Sequence, residues 1–197
     1  MAVISTFELL IKPQLPKETI SKIPPDILAQ LSPLARTVIQ GYFLTLSNLT
    51  SDFIYLSLAF TVKTPSVKIT DTIALLDTGG QNILGTVFQN PGDDVSKTRF
   101  TVPLAGNDTA LFIFQPDISD LKLLQAANFE LRGYAEISLS SGSTPKTAQI
   151  LVTPEHRGTF FGSLDPKSKD ANSKLGEIAY ALPLASGKSL FELNRET

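Results

Sequence analysis

"FELRGYAEISL", residues 129–139, places Phe129, Leu131, Ala135, Ile137 and Leu139 on one side of an extended chain and Glu130, Arg132, Tyr134 and Glu136 on the other. A period of two marks a strand with one buried face. Slipping its register by one residue would bury three charges, so the register is tightly set. "FIYLSLAFTV", residues 53–62, repeats the pattern with Ile54, Leu56, Leu58, Phe60 and Val62 on one face. Its predecessor "YFLTLSNLT" is joined to it through a short polar connection, which predicts a hairpin between the two. Further strands are expected at "TIALLD", "ILGTVFQ", "TRFTVPL", "TALFIFQ" and "TAQILVT". The segments between them carry the Gly, Asn, Asp and Pro that turns require. "DISDLKLLQAAN", residues 117–128, reads as a crossover with one helical turn that moves the chain between sheets. The predicted fold class is all-β, an antiparallel β-sandwich of Ig-like general shape.

Composition supports that class. The chain has 197 residues, 42% hydrophobic and only 18% charged, with 13 Pro and 12 Gly to break short apolar runs. That length favours one principal core. Seventeen basic residues against nineteen acidic ones leave a formal charge of −2, which supplies no basic field for nucleic acid or an anionic membrane. There is no cysteine, so disulfides, thiolate metal sites and cysteine nucleophiles are excluded. The start, "MAVISTFELLIKPQLPK", lacks the basic flank of a secretory leader, and no run reaches the roughly 20 apolar residues of a membrane helix. The expectation is a soluble cytoplasmic protein without a cofactor.

Residues 1–41 read as an N-terminal arm with short helices, and residues 42–197 as the sandwich, with a C-terminal hairpin over 157–185. "STFELLIK" fits an edge strand or a short helix. In "PPDILAQLSPLARTVIQG", Asp26 is placed to cap one helical piece and Ser32 a second, which Gly41 would close. Leu34, Ala35, Val38 and Ile39 would then share a face covering the sheet.

Asp77-Thr78-Gly79 raises the question of catalysis. "ALLDTGG" resembles the active-site motif of retroviral-type aspartic proteases over seven residues. The resemblance implies Asp77 as the carboxylate that shares a proton, Thr78 as its bracing hydroxyl and Gly79 as the tight turn. Such an enzyme needs two aspartates about 3 Å apart, hence two copies of this chain. The family pattern fails beyond the tripeptide: Gly80 stands where Ser or Ala is usual, and neither a glycine-rich flap nor the hydrophobic-hydrophobic-Gly-Arg-Asn/Asp segment follows. Two glycines between strand-like runs are what a short hairpin loop selects, because glycine accepts positive φ without a steric cost. The stretch is read as a turn.

His156, the single histidine, has no Gly-x-Ser-x-Gly elbow to serve and is read as an inter-strand or surface residue. It precedes Arg157 and the consecutive Phe160 and Phe161, and adjacent strand residues face opposite ways, so one ring must leave the first core. His156, Arg157, Phe160 and Phe161 are therefore the binding or interface candidates. Asp93, Asp94, Asp117 and Asp120 lie in loops without calcium-loop spacing and are read as turn residues; no metal site is assigned. "NLT" and "NDT" match the glycosylation sequon but mean little without a leader.

With no nucleophile, metal cluster or nucleotide loop, the expected function is that of a non-catalytic structural or interaction subunit, working as a homo-oligomer or with a protein partner. Phe43, Phe53, Phe112 and Phe114, on nominally outer strand faces, would need cover from another layer or another copy. The alternatives are a carbohydrate or small-effector module, with Tyr42, Tyr55, Tyr134 or Tyr180 as stacking platforms in one groove, and the homodimeric protease.

Overall fold

The computed structural model describes residues 1–15, 17–31, 34–62, 69–84, 97–165, 167–169 and 174–195. The chain is all-β and its named strands all pair antiparallel, with a single parallel bridge between Leu139 and Arg195; apart from the strands the described residues form short helices, α1 (Lys17–Ile20), α2 (Pro25–Gln30) and α3 (Leu121–Ala126), and one 3-10 turn at Ile69–Asp71. The strands are β1 (Ala2–Pro13), β2 (Thr37–Asn48), β3 (Ile54–Val62), β4 (Thr72–Thr78), β5 (Gln81–Leu84), β6 (Lys97–Leu104), β7 (Thr109–Pro116), β8 (Phe129–Leu139), β9 (Thr147–Phe161), β10 (Gly176–Ala181) and β11 (Leu190–Asn194).

Where the sequence predicts two separate sheets, hydrogen bonding makes one connected network that curls into a nearly closed barrel. The cause is β2. One edge of β2 pairs with β9 along its whole length; the other pairs with β1 from Thr37 to Gln40 and with β7 from Tyr42 to Ser47. From this fork one wall runs through β1, β8, β3 and β6, and the other through β2, β7, β4 and β5. β10 and β11 line the far edge of β9.

Several local expectations change. Ala2–Pro13 is not part of a detached arm: β1 lies between β2 and β8, and Ile4, Phe7, Leu9 and Ile11 are buried in the core. Thr37, Val38 and Ile39, expected in the second helical piece, instead begin β2. These β-branched residues suit a pleated surface, and tertiary pairing overrides the helical spacing. Ser32 lies outside the described residues. Asp26 sits in the first turn of α2 behind a Pro24 cap, and α2 buries none of its residues, so it covers no sheet.

The predicted β2–β3 hairpin does not form. Residues 49–53 instead carry the chain from one wall to the other, and 105–108 carry it back between β6 and β7. The two crossings are stitched together by Asn48, whose amide donates to the carbonyls of Asp52 at 2.8 Å and Ala105 at 2.9 Å while its oxygen accepts from Thr50. Asn48 is buried, so the "NLT" sequon is structural. The close approach needs Gly106: a Cβ there would lie 2.0 Å from the Ser51 carbonyl oxygen.

Phe112 and Phe114 are core residues, correcting their placement on an outer face. Leu111 and Ile113 take the outer face of β7, and the phenylalanines join Phe7, Tyr42, Phe60 and Phe100 in an aromatic cluster inside the barrel. Among the described residues no helix is long and apolar enough to cross a membrane.

Candidate functional site

The fork creates a chemical problem. β1 leaves β2 beyond Leu10, so the Glu8 backbone loses the partner it would have had on β2. An unpaired buried backbone group costs about 1–3 kcal/mol, and side chains fill the gap. The Glu8 N–H donates to His156 Nε2 at 3.0 Å, and Gln40 Nε2 donates to the Glu8 carbonyl at 3.2 Å. Because Nε2 accepts, the imidazole proton sits on Nδ1 and is directed at the Tyr180 hydroxyl 3.0 Å away. That hydroxyl donates to Gln40 Oε1 at 3.3 Å and closes the ring. Four strands, β1, β2, β9 and β10, are thus tied through one neutral histidine.

Burial lowers the His156 pKa, opposed by the Glu8 carboxylate. Tyr180 is raised, first by desolvation and then by Glu8, and Tyr42 is raised by burial despite its hydrogen bond to Ser5. The sign of the linkage follows. Unfolded chain takes up the histidine proton below its ordinary value of 6.5, before the folded chain does, so stability is full above that pH and falls as pH drops below it. We expect denaturant unfolding to show stability declining with a slope approaching one proton below pH 6.5, and His156→Gln to flatten that component. A slope unchanged in the variant would show that other groups set it.

Outside this ring, on the opposite face of β2, β9 and β10, lies a groove of about 560 Å³ lined by Ile39, Gly41 and Phe43 of β2, Arg157 of β9 and Glu177 and Ala179 of β10, with Ile118 at its rim. Gly41 is needed because a Cβ would come within 3.0 Å of Gln115 Cβ and 3.2 Å of the Phe43 ring. The Arg157 guanidinium stacks 4.8 Å from the Phe43 centroid and is held by Glu155 at 2.8 and 3.0 Å. The groove is apolar, with one fixed cation and Glu177 on its border.

The candidates from sequence therefore separate. His156 is buried in the polar ring and Arg157 faces the groove. Phe160, half-buried, lies under Arg36 at 4.4 Å, so the N-terminal segment covers it; Phe161 is also half-buried. Glu8, Gln40 and Tyr180 were missed as members of the ring, since contacts across 148 and 140 positions leave no local signal. The tyrosines do not share a groove: Tyr42 is buried, Tyr134 lies across from Thr61 at the far end of β3 from Tyr55, and Tyr180 is on β10.

At Asp77 the turn reading holds. Thr78 pairs with Gln81, and Gly79 and Gly80 carry φ of 59° and 75°, the two positive angles of a two-residue hairpin. Asp77 is a ladder residue opposite Asn82 and Leu111. Asp117 accepts from Ser119 and Asp120 caps α3, so both are spent on local backbone; Asp93 and Asp94 lie outside the described residues. Among the described residues no group of three or more metal-ligating side chains occurs.

Neither a family model nor a curated protein matches the sequence. Among solved structures the chain is similar to one described as "AvmM Catalyzes Macrocyclization in Alchivemycin A Biosynthesis", at 8% identity over 75% of this chain and 78% of that one, with a TM-score of 0.21. A likeness of that size carries no argument about activity.

Proposed function

We propose that the chain is a cytoplasmic, non-catalytic interaction protein that self-associates and uses the outer face of β2, β9 and β10 as its contact surface. The observation that carries the reading is the apolar groove beside Arg157, bordered by β10, whose Glu177 and Ala179 face it and are exposed. Concave apolar surface rimmed by a few fixed polar groups is the usual form of a recognition site. We read the two barrel walls as the layers of a flattened sandwich, Ig-like only in general shape, serving as a scaffold for that surface. Size-exclusion chromatography with light scattering should return at least a dimer. A monomer at every accessible concentration would overturn the reading.

A second reading, a small-effector module, is favoured by the groove volume, which falls in the range of about 300–1,000 Å³ typical of ligand pockets. An apolar dye should then bind saturably, and Thr159→Trp, which fills the groove from an exposed position, should abolish that binding. Dye binding unaffected by the substitution would remove this alternative.

A further inference from the structure

We infer that β10 is the self-association element, pairing antiparallel with β10 of a second copy across a two-fold axis centred on Ala179. The inference deepens the self-association reading and rests on it. Among the described residues β10 has one neighbour, β9, with Gly176 opposite Phe160 through Ala181 opposite Glu155 in unbroken register. Among the described residues its other edge is unpaired. Natural edge strands are usually blunted by lysine, proline or a bulge. β6, an edge of the barrel wall, carries Lys97, Arg99 and Pro103. β10, "GEIAYA", has one charge, Glu177, but no lysine, arginine, proline or bulge, and five of its six residues are exposed.

The direction of its backbone groups follows from one bond. Leu182 N–H donates to the Pro154 carbonyl at 2.9 Å, which extends the β9 register and makes Leu182 a hydrogen-bonded position. Such positions alternate, so Tyr180 and Ile178 also bond β9, while Glu177, Ala179 and Ala181 turn their N–H and C=O groups to the open edge. Placing Ala179 opposite its own copy satisfies all three: Glu177 of each chain bonds Ala181 of the other, and Ala179 bonds Ala179. The intervening close pairs then set Ile178 of one copy against Tyr180 of the other, twice, a favourable β-branched and aromatic match. The strand's single charge, Glu177, never meets its like. Glu177 and Ala179 also border the groove, so pairing would join the two grooves across the axis.

The chain has no cysteine, so one introduced thiol reports cleanly. A hydrogen-bonded antiparallel pair holds its Cα atoms about 5.5 Å apart, within the range of about 4.4–6.8 Å that a disulfide spans. Ala179→Cys should give a covalent dimer under mild oxidation, whereas Thr101→Cys, exposed on β6, should not. Ala179→Lys, which sets two cations face to face, should weaken association at least about tenfold. Ala179→Pro should do the same, removing an outward donor without touching the β9 ladder. Circular dichroism of each variant confirms folding. A chain that dimerises, yet forms no Ala179→Cys crosslink and ignores Ala179→Lys, overturns the β10 assignment and leaves self-association standing. A wild-type chain that stays monomeric overturns both.

Discussion

Gly133→Ala is expected to lower the unfolding free energy by about 3 kcal/mol or more, at the upper end of what overpacking costs. Gly133 lies on β8 between Phe7 of β1 and Val62 of β3. A Cβ there would stand 2.0 Å from the Thr61 carbonyl oxygen and 3.1 Å from the Phe7 ring. A rotating side chain can yield to such a contact, but a carbonyl fixed in a ladder cannot, so β8 and β3 would have to part. The opposing gain from a less flexible unfolded chain is only about 0.4–1 kcal/mol. Denaturant titration should show a lower midpoint at unchanged slope. Gly142→Ala is the control, because its new Cβ meets nothing nearer than 3.9 Å. Equal effects at the two sites would refute the close approach of β8 and β3.

Strands with one polar face were legible because alternation leaves a single solution. Phe129, Leu131, Ala135, Ile137 and Leu139 are all buried, as are Ile54, Leu56, Leu58, Phe60 and Val62. "ALFIF" defeats the same logic: Leu111 and Ile113 are as apolar as Phe112 and Phe114, so pattern alone does not choose the inner face. The choice falls to shape, and the larger rings fill the barrel.

Pairing partners were less legible than strands. β2 and β3 are separated by five residues yet lie in different walls, and this depends on Asn48 and Gly106, whose roles appear only once the two crossings are adjacent. The Asp77 turn was readable because its cause is local, two glycines at positive φ. The ring around His156 was not, because it answers a backbone vacancy produced by the fork itself. A lone histidine in sequence is ambiguous in this way: its partner here is a main-chain N–H on β1, and any residue type supplies one.

Phe60→Ala is the second large effect, expected at about 3–5 kcal/mol, the usual cost of emptying a phenylalanine site in a packed core. Phe60 is fully buried at the centre of the barrel, with ring centroids of Phe7, Tyr42, Phe100, Phe112 and Phe114 between 4.7 and 5.8 Å away. Those rings come from β1, β2, β6 and β7, while Phe60 stands on β3, so it packs against two rings of its own wall, Phe7 and Phe100, and three of the other, Tyr42, Phe112 and Phe114. Three of the five contacts are edge-on or nearly so and one is stacked, geometries worth about 0.5–1.5 kcal/mol each beyond burial. Collapse into the space would require both walls to move, and hydrogen-bonded ladders on β2 and β8 resist it, so much of the cavity should persist. Phe60→Leu, which keeps most of the volume, should lose markedly less. Thermal or denaturant unfolding of the pair separates the terms: similar losses for Ala and Leu would mean that ring geometry, not filled volume, holds the walls together, and a loss under about 1 kcal/mol for Ala would refute the central position of Phe60.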